Sequence, residues 1–367
     1  MTQPVRIGVI GCGSVSEKYL KLANQMRLRG QAETVAACDI KDARGEWVRA
    51  EYGVGRFTTR YQDLLAMPDV DLVLVLTSMQ MHGEITRAAL QAGKHVLVEK
   101  PMSTSLDEAA EIVELARTSP GHLVPAPHVV LSKTYQNIWQ RVHRGDIGQV
   151  TLARALYGWA GPWWGRWFYQ PGGGALFDLG VYNVTTLTGL LGPAKRVTGM
   201  VGVAVPERMA EGSLMKLEAE DNAHVLIDFG NSVFAVVSTG FTIQRYRCPA
   251  VELYGTTGTL QMMGDDWDPE GYELWQNEKG AWQIFDEPEP DWPWYDGVRH
   301  LVDCIHTGAK PLVTPEHAFH VLEIMLKAQE AGRDGRARDI NSTFTPQSFG
   351  EPAVAAPAPH LVHDPTS

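Results

Sequence analysis

The chain has 367 residues, 44% of them hydrophobic and 20% charged, with a formal net charge of −11. That length suits two domains of common size, and that composition excludes global disorder. An acidic balance without a basic cluster argues against nucleic acid or an anionic membrane as partner.

Thr2 to Arg6 runs straight into a strand-like segment with no signal peptide, and no apolar run approaches the ~20 residues that span a bilayer. Strands are expected at Val5–Ile10, Thr34–Cys38, Val70–Thr77, His95–Glu99 and His122–Ala126, and helices at Val15–Arg29, Asp42–Tyr52, Gly83–Gln91 and Leu106–Arg117. Short apolar runs alternating with longer amphipathic stretches signal βαβ units and a parallel sheet. Pro125 and Pro127 end the alternation and mark a boundary. After a helix near Ser132–Arg144, strand-like runs follow at Val150–Trp159, Val197–Ala204, Met215–Glu220, Ala223–Phe229, Ser232–Thr239 and Ala250–Tyr254. They suit a mostly antiparallel sheet. Helices at Trp294–His306 and Glu316–Ala331 close the domain, the second with Thr314 as N-cap and Pro315 at its first position. The fold class is thus α/β: a Rossmann domain over residues 1–127, then an α+β domain over 128–345 with a large open sheet. Residues 346–367, rich in Pro and Ala, read as a mobile tail. The exposed face of an open sheet needs covering, so a homo-oligomer, dimer or tetramer, is expected. Cys12, Cys38, Cys248 and Cys304 show no C-x-x-C pair or zinc spacing. Free thiols in a reducing cytoplasm, with no metal site, is the simpler reading.

Gly11-Cys12-Gly13-Ser14-Val15-Ser16 follows the first strand and opens the first helix. Gly11 permits the tight turn, Gly13 lets the backbone approach a pyrophosphate, and the helix start with Ser14 and Val15 offers N–H groups to the anion. Ser16 stands where the strict pattern has a third glycine. Asp39 ends the second strand, where a carboxylate accepts hydrogen bonds from the adenine ribose hydroxyls and repels a 2′-phosphate. The expected cofactor is therefore NAD, although Lys41 lies close by.

Two later segments are more specific: Ala92-Gly93-Lys94-His95-Val96-Leu97-Val98-Glu99-Lys100-Pro101, and Gly172-Gly173-Gly174-Ala175-Leu176-Phe177-Asp178-Leu179-Gly180-Val181-Tyr182. The first ends a parallel strand at the carboxyl edge of the sheet, where open α/β sheets bind ligands, and Pro101 biases Lys100 toward extended backbone. In the second, Asp178 and Tyr182 share one face of a helix. With the glycine turn, these segments resemble the glucose–fructose oxidoreductase/inositol dehydrogenase/MocA-like family from about Arg6 to Gly192, resuming weakly in the closing helices.

The resemblance implies a soluble sugar-oxidising enzyme in which Lys100 occupies the catalytic lysine position, Asp178 orients substrate and Tyr182 is the general acid/base. Histidine is commoner at that last position, and tyrosine resembles the branch with glucose–fructose oxidoreductase and dimeric dihydrodiol dehydrogenase. The departure leaves the acid/base role open between Tyr182 and Lys100. Thr77-Ser78-Met79-Gln80-Met81-His82 is similar to the family's cofactor loop, which implies cofactor contacts from Thr77, Ser78 and His82. Glu99, Lys100 and His128 join them on the same grounds. Trp159, Trp163, Trp164, Trp167, Phe168 and Tyr169 crowd the loop before the glycine run with Arg166 among them. Such rings stack on pyranose faces and an arginine clamps an anionic group; a hydrophobic plug or subunit contact is the equal alternative. Trp163, Arg166 and Trp167 are thus candidate substrate residues beside Lys100, Asp178 and Tyr182. The expected reaction is hydride transfer from a carbinol carbon of a sugar or glycoside, neutral or anionic, to NAD. The competing reading is a redox-neutral glycoside hydrolase that uses the same site.

Overall fold

The computed structural model describes residues 3–290, 292–350 and 360–362. The chain divides into two compact units, residues 1–128 with 295–319 and residues 129–294 with 320–367.

In the first unit, β1 (Val5–Ile10), β2 (Ala32–Cys38), β3 (Arg56–Thr58), β4 (Leu72–Val75), β5 (His95–Val98) and β6 (Leu123–Pro125) form one sheet in the order β3-β2-β1-β4-β5-β6. Every pairing is parallel. The unbroken apolar runs Leu72–Val75 and Val96–Val98 are buried, as expected of strands covered on both faces. Between the strands run α1 (Ser16–Leu28), α2 (Ala43–Tyr52), α3 (Tyr61–Leu65), α4 (His82–Gln91) and α5 (Leu106–Thr118). Ser105 caps α5 by accepting from the Glu108 amide, and α2 stops at the left-handed Gly53. β3 and α3 are too short to show a hydrophobic period in the sequence. Strand order reverses between β1 and β4, which opens a crevice at their carboxyl ends.

The closing stretch departs from the expected boundaries of 127 and 345. Residues 295–319 join the first unit, because helix Gly297–Thr307 buries Val298, Leu301, Val302 and Cys304 and packs on α1 and β5. Periodicity shows that a helix has an apolar face, not which core receives it. Of the segment 346–367, Gln347 is buried and Phe349 packs edge-on against Tyr135 and Trp139. The rest of that tail, apart from 360–362, lies outside the described residues.

In the second unit α6 (Lys133–Arg144) leads into β7 (Val150–Gly158), and α7 (Val181–Leu191) follows the glycine run. Then come β8 (Arg196–Gly202), the separate hairpin β9 (Glu207–Ala210) with β10 (Ser213–Lys216), β11 (Asn222–Asp228), β12 (Phe234–Gly240), β13 (Val251–Gly255), β14 (Gly258–Asp265), β15 (Asp268–Gln276), β16 (Ala281–Asp286), β17 (Arg338–Asp339) and β18 (His360–Val362). The large sheet has the order β17-β8-β11-β12-β7-β13-β14-β15-β16-β18. It is antiparallel apart from the β12–β7 pair. The strand expected at Met215–Glu220 is instead the second arm of the hairpin, ending at Lys216. One sheet face is buried by Ala153, Ala155, Val225, Ile227 and Val237, with α7 packed on β7 and β12. The other face carries Leu152, Met200, Leu226 and Phe234, exposed by 45%, 82%, 53% and 48%. Phe234 stands opposite Leu152 and Leu226 opposite Val236, so these apolar groups form one patch.

Candidate active site

At the crevice between β1 and β4 the chain is built for close approach. Gly11 has φ +96°, and a Cβ there would lie 2.6 Å from the Leu76 carbonyl carbon and oxygen. Gly13 has open space where its Cβ would be, so a dinucleotide pyrophosphate can meet the backbone and the amides at the start of α1. Ser14 is exposed and Val15 half-buried there. Ser16 explains the missing third glycine: it is fully buried, and its hydroxyl donates to the Gly13 carbonyl at 2.7 Å. Asp39 spans the turn. Its Oδ2 accepts from the Cys12 amide and its Oδ1 from the Lys41 amide, both at 2.8 Å. Burial pushes the neighbouring Cys12 and Cys38 thiols up to about 12, so both are inert at neutral pH. These residues fit a dinucleotide.

Thr77 and Ser78 follow β4 at the same edge, half-buried. His82 is buried, with Nδ1 2.8 Å from the Pro101 carbonyl oxygen and Nε2 3.1 Å from that of Thr77. It therefore ties the loop after β4 to the loop after β5. Burial lowers its pKa while the two carbonyls raise it, and burial prevails. Glu99 is buried, its Oε1 accepting from the Tyr19 hydroxyl at 2.7 Å and its Oε2 from the Lys100 amide at 3.1 Å. This carboxylate fixes the backbone of Lys100, whose side chain is half-buried at the carboxyl edge. His128 is buried, and a Cβ on Gly297 would meet its ring at 2.3 Å; the closing helix packs directly on this residue.

In the second unit Asp178 sits in a π turn, Leu176–Gly180, that runs on into α7 with Tyr182 in its first turn. Such turns recur at functional sites. The glycine run makes the turn possible: Gly174 has φ +107°, and a Cβ there would lie 2.3 Å from the Glu220 carboxylate. Glu220 is buried and accepts from the Leu176 amide at 3.1 Å and from Gln329 Nε2 at 3.2 Å. Burial pushes its carboxyl up to about 7. Asp266 braces α7 further along, its Oδ2 accepting from Asn183 Nδ2 and from the Thr186 hydroxyl, each at 3.0 Å. Tyr157 of β7 packs edge-on against Tyr182, its phenol pushed above the usual range by burial and by Asp178.

The aromatic loop precedes the glycine run. Trp159 and Trp164 stack at 5.4 Å, Trp167 stacks on Phe168 at 3.7 Å, and Trp163 stays 70% exposed. Arg166 donates from Nη1 to the Ser213 hydroxyl at 2.6 Å, which ties the loop to the β9–β10 hairpin. Glu99's link to Tyr19, Glu220, Asp266, Asn183 and Tyr157 were not singled out from the sequence. Each contact is long-range, and no local spacing announces it. Among the described residues no group of three or more His, Cys, Asp or Glu is placed to hold a metal ion, and no helix is long and apolar enough to cross a membrane.

Residues 5–125 match a family model described as an oxidoreductase family with an NAD-binding Rossmann fold. Residues 135–261 match the model of the GFO/IDH/MocA C-terminal domain. The chain is 28% identical over 346 residues to 1,5-anhydro-D-fructose reductase of Ensifer adhaerens, covering 92% of this chain and 99% of that one. It is 30% identical over 272 residues to dTDP-3,4-didehydro-2,6-dideoxy-alpha-D-glucose 3-reductase of Saccharopolyspora spinosa, covering 71% and 75%. Among solved structures, the WlbA dehydrogenase of Bordetella pertussis in complex with NADH and UDP-GlcNAcA superposes with a TM-score of 0.78 at 20% identity, covering 92% and 99%.

Proposed function

The chain belongs to the glucose–fructose oxidoreductase/inositol dehydrogenase/MocA family of NAD-binding oxidoreductases, and from that premise we propose that it transfers a hydride between NAD and a carbinol carbon of a sugar or glycoside. One observation carries the reading most: Asp178 and Tyr182 lie on one helical run whose π turn is held by a glycine run and a buried carboxylate. A rigid helix presenting an acid and a phenol four residues apart suits a carbinol, which needs one group to orient its hydroxyl and one to take its proton.

The bound cofactor supplies the hydride chemistry. In this reading the Tyr182 phenol exchanges the substrate hydroxyl proton, and Asp178 accepts from a neighbouring hydroxyl. Lys100, its backbone fixed by Glu99 at the carboxyl edge of the parallel sheet, donates to the substrate hydroxyl and favours its ionised form by its charge. Tyrosine in place of the commoner histidine sets this chain with the tyrosine branch of the family. Asp39 selects NAD over NADP. The Trp163 and Trp167 rings, with Arg166, form the wall of the sugar pocket. The relatives named as sugar reductases favour a sugar over other alcohols, and net redox chemistry over redox-neutral glycoside hydrolysis. The exposed Leu152, Met200, Leu226 and Phe234 patch suits a second copy of the chain, giving a homo-oligomer.

The test is to incubate the enzyme with limiting NAD and a panel of free sugars and glycosides, following NADH and released sugar together. One NADH per oxidised product is expected. Aglycone release in large excess over NAD, without NADH accumulating, would replace this reading with the redox-neutral hydrolase.

A further inference from the structure

Asp266 lies in the turn between β14 and β15 and is 1% exposed. Its two side-chain donors both come from α7: Asn183, next to Tyr182 in the chain, and Thr186, one turn farther on. Both bonds land on Oδ2. The other carboxyl oxygen, Oδ1, is buried with no hydrogen-bond partner, and so is the amide oxygen Oδ1 of Asn183. Two buried acceptors on one donor–acceptor pair, each without a donor, are costly in an ionised site.

Among the described residues, the titratable groups that interact with Asp266 offer no cation. They are Asp265 beside it, Tyr246, whose hydroxyl donates to Asp265, and Tyr157 of β7. A carboxylate fully removed from water with acidic neighbours takes up a proton instead of staying ionised. A proton on Oδ1 supplies the missing donor and turns it toward the Asn183 amide oxygen. With Asn183 Nδ2–H already donating to Asp266 Oδ2 at 3.0 Å, such a proton would give the unpartnered Asn183 amide oxygen its donor and close a two-bond ring.

We propose that Asp266 is a positioning residue, held as a neutral acid and joined to Asn183 as an acid–amide pair that fixes the turn of α7 carrying Tyr182. Burial pushes its carboxyl up to about 7, in keeping with the geometry. As pH rises through that value, the Oδ1 proton is lost, two acceptors face each other, and the turn that aims Tyr182 loosens. The kinetic consequence rests on Tyr182 as acid/base; the protonation state of Asp266 does not.

The experiment uses the full-length protein with NAD bound and ¹³C-carboxyl aspartate incorporated. Infrared spectra below neutral pH should show a carboxylic-acid carbonyl band that fades as pH passes about 7 and is missing from Asp266→Asn. Asp266→Asn carries a permanent N–H₂ where the acid proton sits. Wild type should show an alkaline fall in kcat that Asp266→Asn loses while keeping kcat within about threefold, whereas Asp266→Ala should lower kcat by about 10–100-fold with NAD affinity unchanged. No acid band below neutral pH overturns the proposal, and so does an Asp266→Asn variant as impaired as Asp266→Ala. Near-normal turnover of Tyr182→Phe would overturn the positioning role while leaving the band intact, which separates failure of the acid/base reading from failure of the proton assignment.

Discussion

The ring of Tyr157 stands edge-on to that of Tyr182, with centroids 5.9 Å apart and planes at 81°. The candidate acid/base is therefore seated by packing across the sheet–helix interface, and its ring can be kept while its hydroxyl is removed.

Tyr182→Phe preserves that edge contact and deletes only the proton-carrying group. Binding of NAD, measured by calorimetry, should be unchanged, while kcat falls by about 10²–10⁴-fold. Turnover close to wild type would make Tyr182 a packing residue and move the acid/base role to Lys100.

Asp39 accepts a backbone amide on each carboxylate oxygen, so it shapes the glycine turn whose ribose-recognising carboxylate it is proposed to be. Wild type should bind NAD more tightly than NADP. Asp39→Ala should narrow that preference and also weaken NAD itself by about 10–100-fold, because the Cys12 and Lys41 amides lose a charged acceptor. Calorimetry showing that wild type prefers NADP would refute the assignment.

Arg166 holds Ser213 through one guanidinium nitrogen, which leaves its fork geometry usable only if the loop and hairpin stay joined. Arg166→Lys keeps charge but loses the fork. KM for sugars carrying a carboxylate or phosphate should rise several-fold, with neutral sugars unaffected. If no substrate in such a panel responds, Arg166 serves the hairpin contact alone.

Leu226 and Phe234 lie on the uncovered face of the large sheet, 53% and 48% exposed. Replacing both with lysine should lower the mass measured by light scattering, because two charges in an apolar contact cannot be desolvated cheaply. A wild-type mass equal to the monomer's, or a mass unchanged in the variant, would remove this face as an interface.

His320 is buried, its Nε2 accepting from the Ala194 amide at 2.9 Å and its Nδ1 2.9 Å from the Ser342 hydroxyl. Burial pushes it down to about 4 from the ordinary 6.5. The unfolded chain thus binds the proton first as pH falls. The neutral ring's contribution is fully present above about 6.5 and is lost progressively as pH drops toward 4. His320→Gln, which keeps an acceptor for the Ala194 amide, should be less stable at neutral pH but show a flatter fall in Tm across that acidic window. An identical acid slope in both proteins would remove His320 from the account.

The sequence by itself determined what depends on local pattern. The alternation of short apolar runs with amphipathic stretches established the parallel sheet, because strand and helix periods are set within a few residues. Gly11 and Gly13 announced the tight turn between the first strand and the first helix, because at Gly11 a left-handed backbone packed against the Leu76 carbonyl leaves no room for a side chain. The tertiary structure alone decided what depends on distant groups meeting. Helix Gly297–Thr307 joined the first unit because the core beside α1 and β5 received its apolar face. Strands β14, β15 and β16 became visible only when paired, since their period-two pattern is interrupted by Gly264, Gly271 and tight turns. Glu220 and Asp266, which brace the helix of Tyr182 from 44 and 83 residues away, carry no signal in their own neighbourhoods. Burial makes each of them strong, and burial is created only when the whole chain has folded around them.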